Sequence, residues 1–126
     1  MSKRFLLITT KNEYHVIDVP DSDFLSALKE IIGCEYVETV HVVSNIIMLV
    51  DEEGKLAGKD VNYIASILYP DFCDLIVGDV ILASIIDTDD GPDIGGLNDD
   101  DVEYFSELCN LGNILERLLS GGRNDV

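Results

Sequence analysis

Four short runs of apolar and β-branched residues, separated by polar turns, occupy much of the first half of the chain. RFLLITT (4–10) and YHVIDV (14–19) flank the polar KNE, a pattern typical of two strands joined by a tight turn. EYVETVHVV (35–43) alternates apolar and polar positions, and NIIMLVDEEG (45–54) is a nearly continuous apolar run ended by an acidic turn. The sequence therefore predicts two pairs of adjacent strands, the second pair joined at the SN dipeptide.

The segment between these strand pairs, PDSDFLSALKEIIG, repeats its apolar residues at helical spacing. Asp21 or Ser22 can cap the helix at its start, and Gly33 can end it. The predicted apolar face consists of Phe24, Leu28, Ile31 and Ile32.

Two more segments have a helical pattern. KDVNYIASILY (59–69) spaces its apolar residues for a helix that ends before Pro70. NDDDVEYFSELCNLGNILERLLS (98–120) is amphipathic and predicts either one long helix or two short ones broken near Gly112.

CDLIVGDVILASII (73–86) is the most apolar run of the chain. Its β-branched content favours a central strand buried on both sides, with Gly78 and Asp79 forming a bulge; a helix is the less favoured alternative. The order of elements is then roughly ββαββαβα. This order predicts an α+β fold with a small mixed or antiparallel sheet of about five strands and two or three helices, packed on one face of the sheet.

The length of 126 residues fits one domain with a sizeable core. We predict a single α+β domain over residues 1–120, with an acidic loop at 87–100 and a C-terminal helix. Residues 121–126, GGRNDV, are predicted to form a disordered tail.

The charge balance restricts the class of partner. Eight Lys and Arg oppose twenty-five Asp and Glu, which gives a formal charge of -17. Such a chain is repelled by nucleic-acid phosphates and by anionic membranes, so direct binding to either is not expected. A charged partner should be basic.

Cysteine usage and hydropathy indicate a cytoplasmic protein. Cys34, Cys73 and Cys109 are far apart and lack metal-ligand spacing, which favours reduced, buried thiols over disulfides or a zinc site. No apolar run approaches the roughly eighteen residues of a membrane span, and FLLI near the start is too short for a signal peptide.

The stretch IIDTDDGPDIGGLNDDD (85–101) carries seven carboxylates and no Lys or Arg. It does not match an EF-hand, because the third and last ligand positions would be Gly91 and Asn98. Two interpretations remain open: a surface that binds positive charge, and a solvated loop followed by a helix cap. The candidate binding residues are Asp87, Asp89, Asp90, Asp93, Asp99, Asp100, Asp101, Glu103 and Glu107.

Helix capping accounts for only part of this acidity. Asn98 can cap the last helix, and Asp99, Asp100 and Asp101 in its first turn favour the positive end of the helix dipole. The segment between Lys59 and Arg117 nevertheless holds fourteen acidic residues and no basic one. This asymmetry favours a surface that meets positive charge.

Catalytic motifs are not found. The two histidines, His15 and His41, fall within predicted strands, and no nucleophile elbow, phosphate loop, dinucleotide fingerprint or zinc-protease motif occurs. The sequence predicts neither an enzyme nor a cofactor. The alternative function is a small-molecule or nucleotide-binding module with polar groups at Asn62, Tyr63 and Asp79.

One set of residues resembles a known family. The set comprises Asp51, Glu52, Glu53 and Gly54 after an apolar strand, Asn62, Ala65 and Tyr69 on the next helix, Ile76, Gly78 and Asp79, and an acidic segment before a helix. Over about residues 14 to 110, the chain is similar to a family of small acidic domains of unknown function encoded by phages, mobile elements and gut Firmicutes. The resemblance implies an α+β fold and a mobile-element setting, and it assigns no catalytic residue.

These observations lead to one functional hypothesis. We expect a non-enzymatic protein of phage or mobile-element type that binds a basic macromolecule. The favoured class of partner is a protein. The chain would act as a nucleic-acid mimic or as an antagonist of host defence. The sequence leaves the oligomeric state open.

Overall fold

The computed structural model describes residues 2–69 and 74–124, with side chains to residue 119. The described residues form six antiparallel strands and three helices, an α+β fold as predicted. The elements in chain order are β1 (Ser2–Ile8), β2 (Tyr14–Pro20), α1 (Phe24–Ile32), β3 (Val37–Val43), β4 (Ile46–Asp51), α2 (Tyr63–Leu68), β5 (Val80–Thr88), β6 (Gly91–Gly95) and α3 (Asp99–Asn124).

The strand order is β2-β1-β5-β4-β3, and β6 pairs with the second half of β5. The two predicted hairpins, β1–β2 and β3–β4, are confirmed. Between them lies β5, where Leu82 pairs with Leu6 of β1 and with Met48 of β4. The central strand expected from the most apolar run is therefore present.

The sheet is covered on both faces, which corrects the expectation that all helices pack on one face. On one face, α1 packs Leu28 and Ile32 against Phe5 of β1 and Ile81 of β5. The other face is covered by α2 and α3. The residues at its core include Leu6, Ile8, Met48, Val80, Leu82, Ile64, Phe105 and Cys109. Because both faces are buried, the central strands are apolar at nearly every position.

Helix α1 ends as predicted but begins differently. Gly33 follows it with a φ of 79°, a left-handed conformation that glycine adopts without strain. At the start, Asp23 occupies the capping position with a φ of 56° and makes no side-chain cap, so neither Asp21 nor Ser22 has the predicted role. The Asp23 carboxylate instead accepts a hydrogen bond from the Ser26 hydroxyl at 2.9 Å.

The predicted acidic loop at 87–100 is largely a β-hairpin. Asp87 and Thr88 belong to β5, and Gly91–Gly95 form β6, which sequence analysis missed. The segment GPDIG contains two glycines and a proline, residues that disfavour strands, and so it has no strand-like pattern of its own. It is ordered through pairing with β5.

The apolar run at 73–86 is shorter as a strand than predicted. β5 begins at Val80, and Val77 before it forms an isolated bridge to Val61. Gly78 has a φ of 78° and turns the chain into the strand. Cys73 lies outside the described residues.

Helix α3 is continuous through Gly112, so the single-helix alternative is the one observed. Gly112 is buried beside Ile64 and Ile67 of α2, but an added Cβ would lie no closer than 3.6 Å to them, so the fold does not require glycine at this position. The helix ends at Asn124 and so includes the first part of the predicted tail; residues 125–126 lie outside the described residues. None of the described helices is long and apolar enough to span a membrane.

Candidate functional site

The β5–β6 hairpin carries the first four candidate acidic residues at or near its tip. Thr88 pairs with Gly91, so Asp89 and Asp90 form a two-residue turn. The Thr88 hydroxyl donates to the Gly91 carbonyl at 2.6 Å and accepts from the Asp90 amide at 3.2 Å. Asp87, Asp89, Asp90 and Asp93 are all exposed.

The hairpin extends beyond the rest of the sheet. Pairing of β5 with β1 ends at Leu82, and its pairing with β4 ends at Ser84, opposite Ile46. Among the described strands, only β6 accompanies β5 beyond that point. Asp87 to Asp93 thus form an acidic projection.

Close packing fixes the base of the hairpin. The Ser84 hydroxyl donates to the Gly96 carbonyl at 2.8 Å, and the Leu97 amide donates to the Arg4 carbonyl at 2.7 Å. A Cβ on Gly95 would lie 2.7 Å from Ile86 Cγ2, so this position requires glycine. The chain is thereby directed from β6 into α3 at the start of β1.

The first turn of α3 is capped as the sequence predicts. The Asn98 side chain accepts a hydrogen bond from the Asp101 amide at 2.7 Å, and its carbonyl accepts one from Val102 at 3.0 Å. Asp99 forms an ion pair with Arg4 at 2.6 Å, which ties the helix start to β1. Asp99 therefore already has a cationic partner within the chain, although its side chain stays exposed.

Three further candidate residues form a stripe along α3. Asp100, Glu103 and Glu107 are exposed and follow one another at three- and four-residue intervals, which places them on one side of the helix. Their rise along the axis is about 4.5 and 6 Å. Asp101 is half-buried in the first turn.

Four basic residues form ion pairs among the described side chains, and of these four only Arg4 pairs with a candidate residue. Lys3 pairs with Asp21, Arg4 with Asp18 and Asp99, Lys55 with Asp74, and Lys59 with Asp51. Of the nine candidate residues, Asp99 alone has an ion-pair partner among these side chains. The other eight carboxylates lie on the hairpin and on the first two turns or so of α3, which meet at the same end of the sheet.

An ion pair that sequence analysis missed lies at the end of β4. The Lys59 ammonium contacts the Asp51 carboxylate at 2.8 Å and donates to the carbonyls of Ile32 and Gly33 at 3.2 and 3.1 Å. The Asp51 side chain is only 8% exposed. Burial opposes its charged form, but the hydrogen bonds from Lys59 and the Glu53 amide, with the attraction of Lys59, hold the pKa of Asp51 below its ordinary value. Through these contacts Lys59 links the end of α1 to the end of β4.

Asn62, a candidate for the alternative ligand pocket, has a structural role. It is fully buried; its amide group donates to the carbonyls of Ile8 and Gly78 at 3.0 and 2.9 Å, and its oxygen accepts from the Ala65 amide at 3.0 Å. Tyr63 is exposed, and Asp79 accepts a hydrogen bond from the Thr10 amide at 3.0 Å. The structure does not bring these three residues into one pocket.

Cys34 and Cys109 have thiols with a raised pKa, which disfavours the reactive thiolate. Burial raises the pKa of the Cys109 thiol to about 11, and burial, then Asp51, raises that of Cys34 against the opposing effects of Lys59 and Lys29. Both thiols are free. His15 and His41 lie in β2 and β3 as predicted, and His41 Nε2 lies 2.8 Å from the Ser44 carbonyl. The described residues contain no cluster of His, Cys, Asp and Glu that could hold a metal ion.

Comparison with known proteins places the chain in a family by sequence. The model of a family described as "Domain of unknown function (DUF3846)" matches residues 2–110, which include the whole sheet, α1, α2 and the first half of α3. The match begins earlier than the resemblance inferred from sequence, which started at residue 14. No curated protein and no solved structure matches the chain.

Proposed function

Since the chain belongs to the DUF3846 family, which is defined without a function, we propose from its surface that it is a non-enzymatic protein that binds a basic macromolecule. The binding surface would comprise the exposed carboxylates of the β5–β6 hairpin and of the start of α3. The favoured partner is a protein with a surface rich in Lys and Arg.

The observation that carries this proposal is the separation of charge. Eight candidate carboxylates have no ion-pair partner among the described side chains, whereas Asp18, Asp21, Asp51, Asp74 and Asp99 do. Unpaired charges of one sign on a projecting hairpin raise the local potential, which accelerates encounter with a partner of opposite charge.

The resemblance to domains encoded by phages and mobile elements supports a narrower version of the proposal. In that setting an acidic surface can occupy the nucleic-acid site of a host-defence enzyme. The axial steps of about 4.5 and 6 Å between carboxylates on α3 are of the same order as the rise of roughly 3.4 Å along the helix axis per phosphate of one DNA strand. The narrower proposal is therefore nucleic-acid mimicry.

Affinity capture with charge-neutralised variants tests the proposal. The test variant replaces Asp89, Asp90, Asp93 and Asp100 by Asn. The control replaces four exposed acidic residues outside the proposed binding surface by Gln, so that both variants lose the same charge. These residues are Glu30, Glu35, Glu38 and Glu53. Proteins retained from a bacterial lysate by the parent chain are compared with those retained by each variant.

We expect the test variant to lose partners that the control keeps, and the affinity of the parent to fall steeply as salt is raised. Equal retention by the parent and both variants would contradict the proposal. In the narrower version, duplex DNA competes with the chain for the captured protein. If DNA does not compete for the captured protein, the proposal of a basic partner stands, but nucleic-acid mimicry is contradicted.

The alternative, a small-molecule or nucleotide-binding module, has its own measurement. A native mass spectrum of the chain purified from cells would show a retained ligand as a defined mass increment, whereas a basic partner would appear as a protein complex. Asn62 has no free hydrogen-bonding group for a ligand in this fold, so a ligand would have to bind elsewhere.

A further inference from the structure

The second half of α3 extends beyond the core that the first half covers. The helix has 26 residues and is about 39 Å long. Phe105 and Cys109 are buried against the sheet, and Gly112 against α2. Residues 113–119, the part of the helix after Gly112 whose side chains the structure describes, include no buried residue.

This second half exposes an unusual amount of apolar surface. Leu118 and Leu119 are 68% and 69% exposed, and α2 adds the exposed Ile67 beside Gly112. The exposed apolar residues of the helix are Leu111, Ile114, Leu115, Leu118 and Leu119, here called the α3 apolar face. Five such side chains present an area on the order of a few hundred Å², about the largest contiguous apolar patch that a soluble monomer exposes, and the largest patch is often functional.

The spacing of these residues is typical of a helix that packs on another helix. Leu111, Leu115 and Leu118 follow one another at four and three residues, the interval of a coiled-coil seam. A helical segment of this length is marginal in water when its apolar side has no partner, because most helix stability in proteins comes from packing.

Charge indicates what covers the α3 apolar face. Residues 108–126 contain Arg117 and Arg123 against Glu116 and Asp125, so their side chains carry no net charge, whereas residues 87–107 contain nine carboxylates and no basic residue. A basic partner is therefore attracted to the acidic surface and not to this half of the helix. A second copy can approach here with the least repulsion that this acidic chain offers.

We infer that two copies of the chain associate through their α3 apolar faces, with the two helices antiparallel. Asp100, Glu103 and Glu107 lie on the same side of the helix as Leu111 and Leu118, so a parallel pair would place both acidic stripes side by side. An antiparallel pair places them at opposite ends, and it also opposes the two helix dipoles favourably. The contact is symmetric, as in most homodimers.

Oligomeric state tests this inference independently of the proposed basic partner. Sedimentation and light scattering of the full chain at about 100 µM should give the mass of a dimer, with a dissociation constant in the micromolar range or below. Leu115→Glu and Leu118→Glu should each raise that constant more than about tenfold, because the new carboxylate would be buried at the contact. Leu56→Glu is the matched control, since Leu56 is 91% exposed and lies outside the face.

Helix content gives a second measurement. On dilution of the parent chain, circular dichroism should lose helical signal as the dimer dissociates, because the second half of α3 loses its packing partner. A parent chain that is monomeric at about 100 µM would overturn the inference. Loss of the dimer in Leu56→Glu to the same extent would also overturn it, since association would then be unspecific.

Charge removal at the other end of the helix tests the orientation. Asp100→Asn combined with Glu103→Gln should leave the dissociation constant of an antiparallel dimer within about twofold, because the acidic stripes are far apart. A dimer that becomes several-fold tighter would show that the stripes face each other, and the antiparallel arrangement would be wrong.

Discussion

Asn62 joins three segments of the chain through one buried side chain: the end of β1, the turn at Gly78 and the first turn of α2. Asn62→Ala removes all three hydrogen bonds and leaves buried groups without partners. We expect the free energy of unfolding to fall by about 3 kcal/mol in urea denaturation. Asn110→Ala is the control, because Asn110 is exposed and accepts one hydrogen bond, from Tyr14, so its loss should stay below about 1 kcal/mol. Similar losses for both variants would show that Asn62 is not a special position.

The Asp51–Lys59 pair predicts a pH dependence of stability. The pKa of Asp51 is lowered in the folded chain, so its contribution is present above the ordinary aspartate pKa of about 4 and is lost as pH falls through the lower folded value. Lys59→Met removes the partner and leaves a largely buried carboxylate. We expect a loss of about 1–3 kcal/mol at neutral pH.

The difference between the parent and Lys59→Met should then shrink below about pH 4, as Asp51 becomes protonated. Urea titrations at a series of pH values measure it. Arg4→Met is a control, because Arg4 binds exposed carboxylates and should cost less than about 1 kcal/mol. A difference that stays constant into the acid range would mean that Asp51 does not carry the effect.

At the scale of elements, the β5–β6 hairpin depends on two glycines for different reasons. Gly95→Ala would place a Cβ 2.7 Å from Ile86 and 2.9 Å from Ser84 at the base, so we expect a loss of about 1–3 kcal/mol. Gly91→Ala meets no neighbouring atom but must adopt a φ of 105°, so we expect about 1–2 kcal/mol from backbone strain.

Proteolysis separates these two effects. Cleavage at the hairpin tip should increase in Gly91→Ala, whose strain is local, whereas Gly95→Ala should also weaken the link to α3 and lower the global unfolding midpoint. Equal behaviour of both variants in the two assays would contradict this division.

Elements that stabilise themselves locally were predictable from sequence. The β1–β2 and β3–β4 hairpins and α1 contain their own pattern, turn or stop signal, such as Gly33. By contrast, β6 forms through its partner, and its Gly-Pro sequence gives no signal. The face of the sheet that α1 covers was also not predictable, since an apolar stripe shows which side of a helix is buried but not which layer buries it.

The sequence predicted which acidic residues belong to the candidate site, but not how the fold arranges them. The acidic residues and the Asn98 cap are readable from the chain. The pairing of Asp99 with Arg4, ninety-five residues away, and of Asp51 with Lys59 depends on the tertiary fold, so sequence alone could not separate paired from unpaired carboxylates. The α3 apolar face was visible as leucine spacing, but its exposure was not.

At the scale of the whole molecule, the charge of -17 should make stability depend on ions. Raising sodium chloride from low to physiological concentration should raise the melting temperature, because it screens repulsion among carboxylates. Asp90→Asn should be stabilising by up to about 0.5 kcal/mol at low salt, and the gain should vanish at high salt. A melting temperature that falls with salt would contradict this account.

Divalent cations test whether the acidic hairpin holds an ion or only attracts ions. Ca²⁺ and Mg²⁺ at millimolar concentration should raise the melting temperature equally, since the described residues form no metal-binding cluster. Selective stabilisation by micromolar Ca²⁺ would instead reveal a specific site. The Asp89, Asp90, Asp93 and Asp100 to Asn variant would then lose that selectivity.

The central position of β5 has a consequence for synthesis on the ribosome. In the described sheet the two early hairpins, β1–β2 and β3–β4, are joined by strand pairing only through β5, which is made after both. Until about residue 88 has left the exit tunnel, β1 and β4 each keep an apolar edge with unpaired amides and carbonyls. Such edges are templates for pairing with other chains. A nascent chain stalled before Val80 should therefore recruit chaperones, and slow translation ahead of β5 should be harmful, whereas slow translation after it should be tolerated.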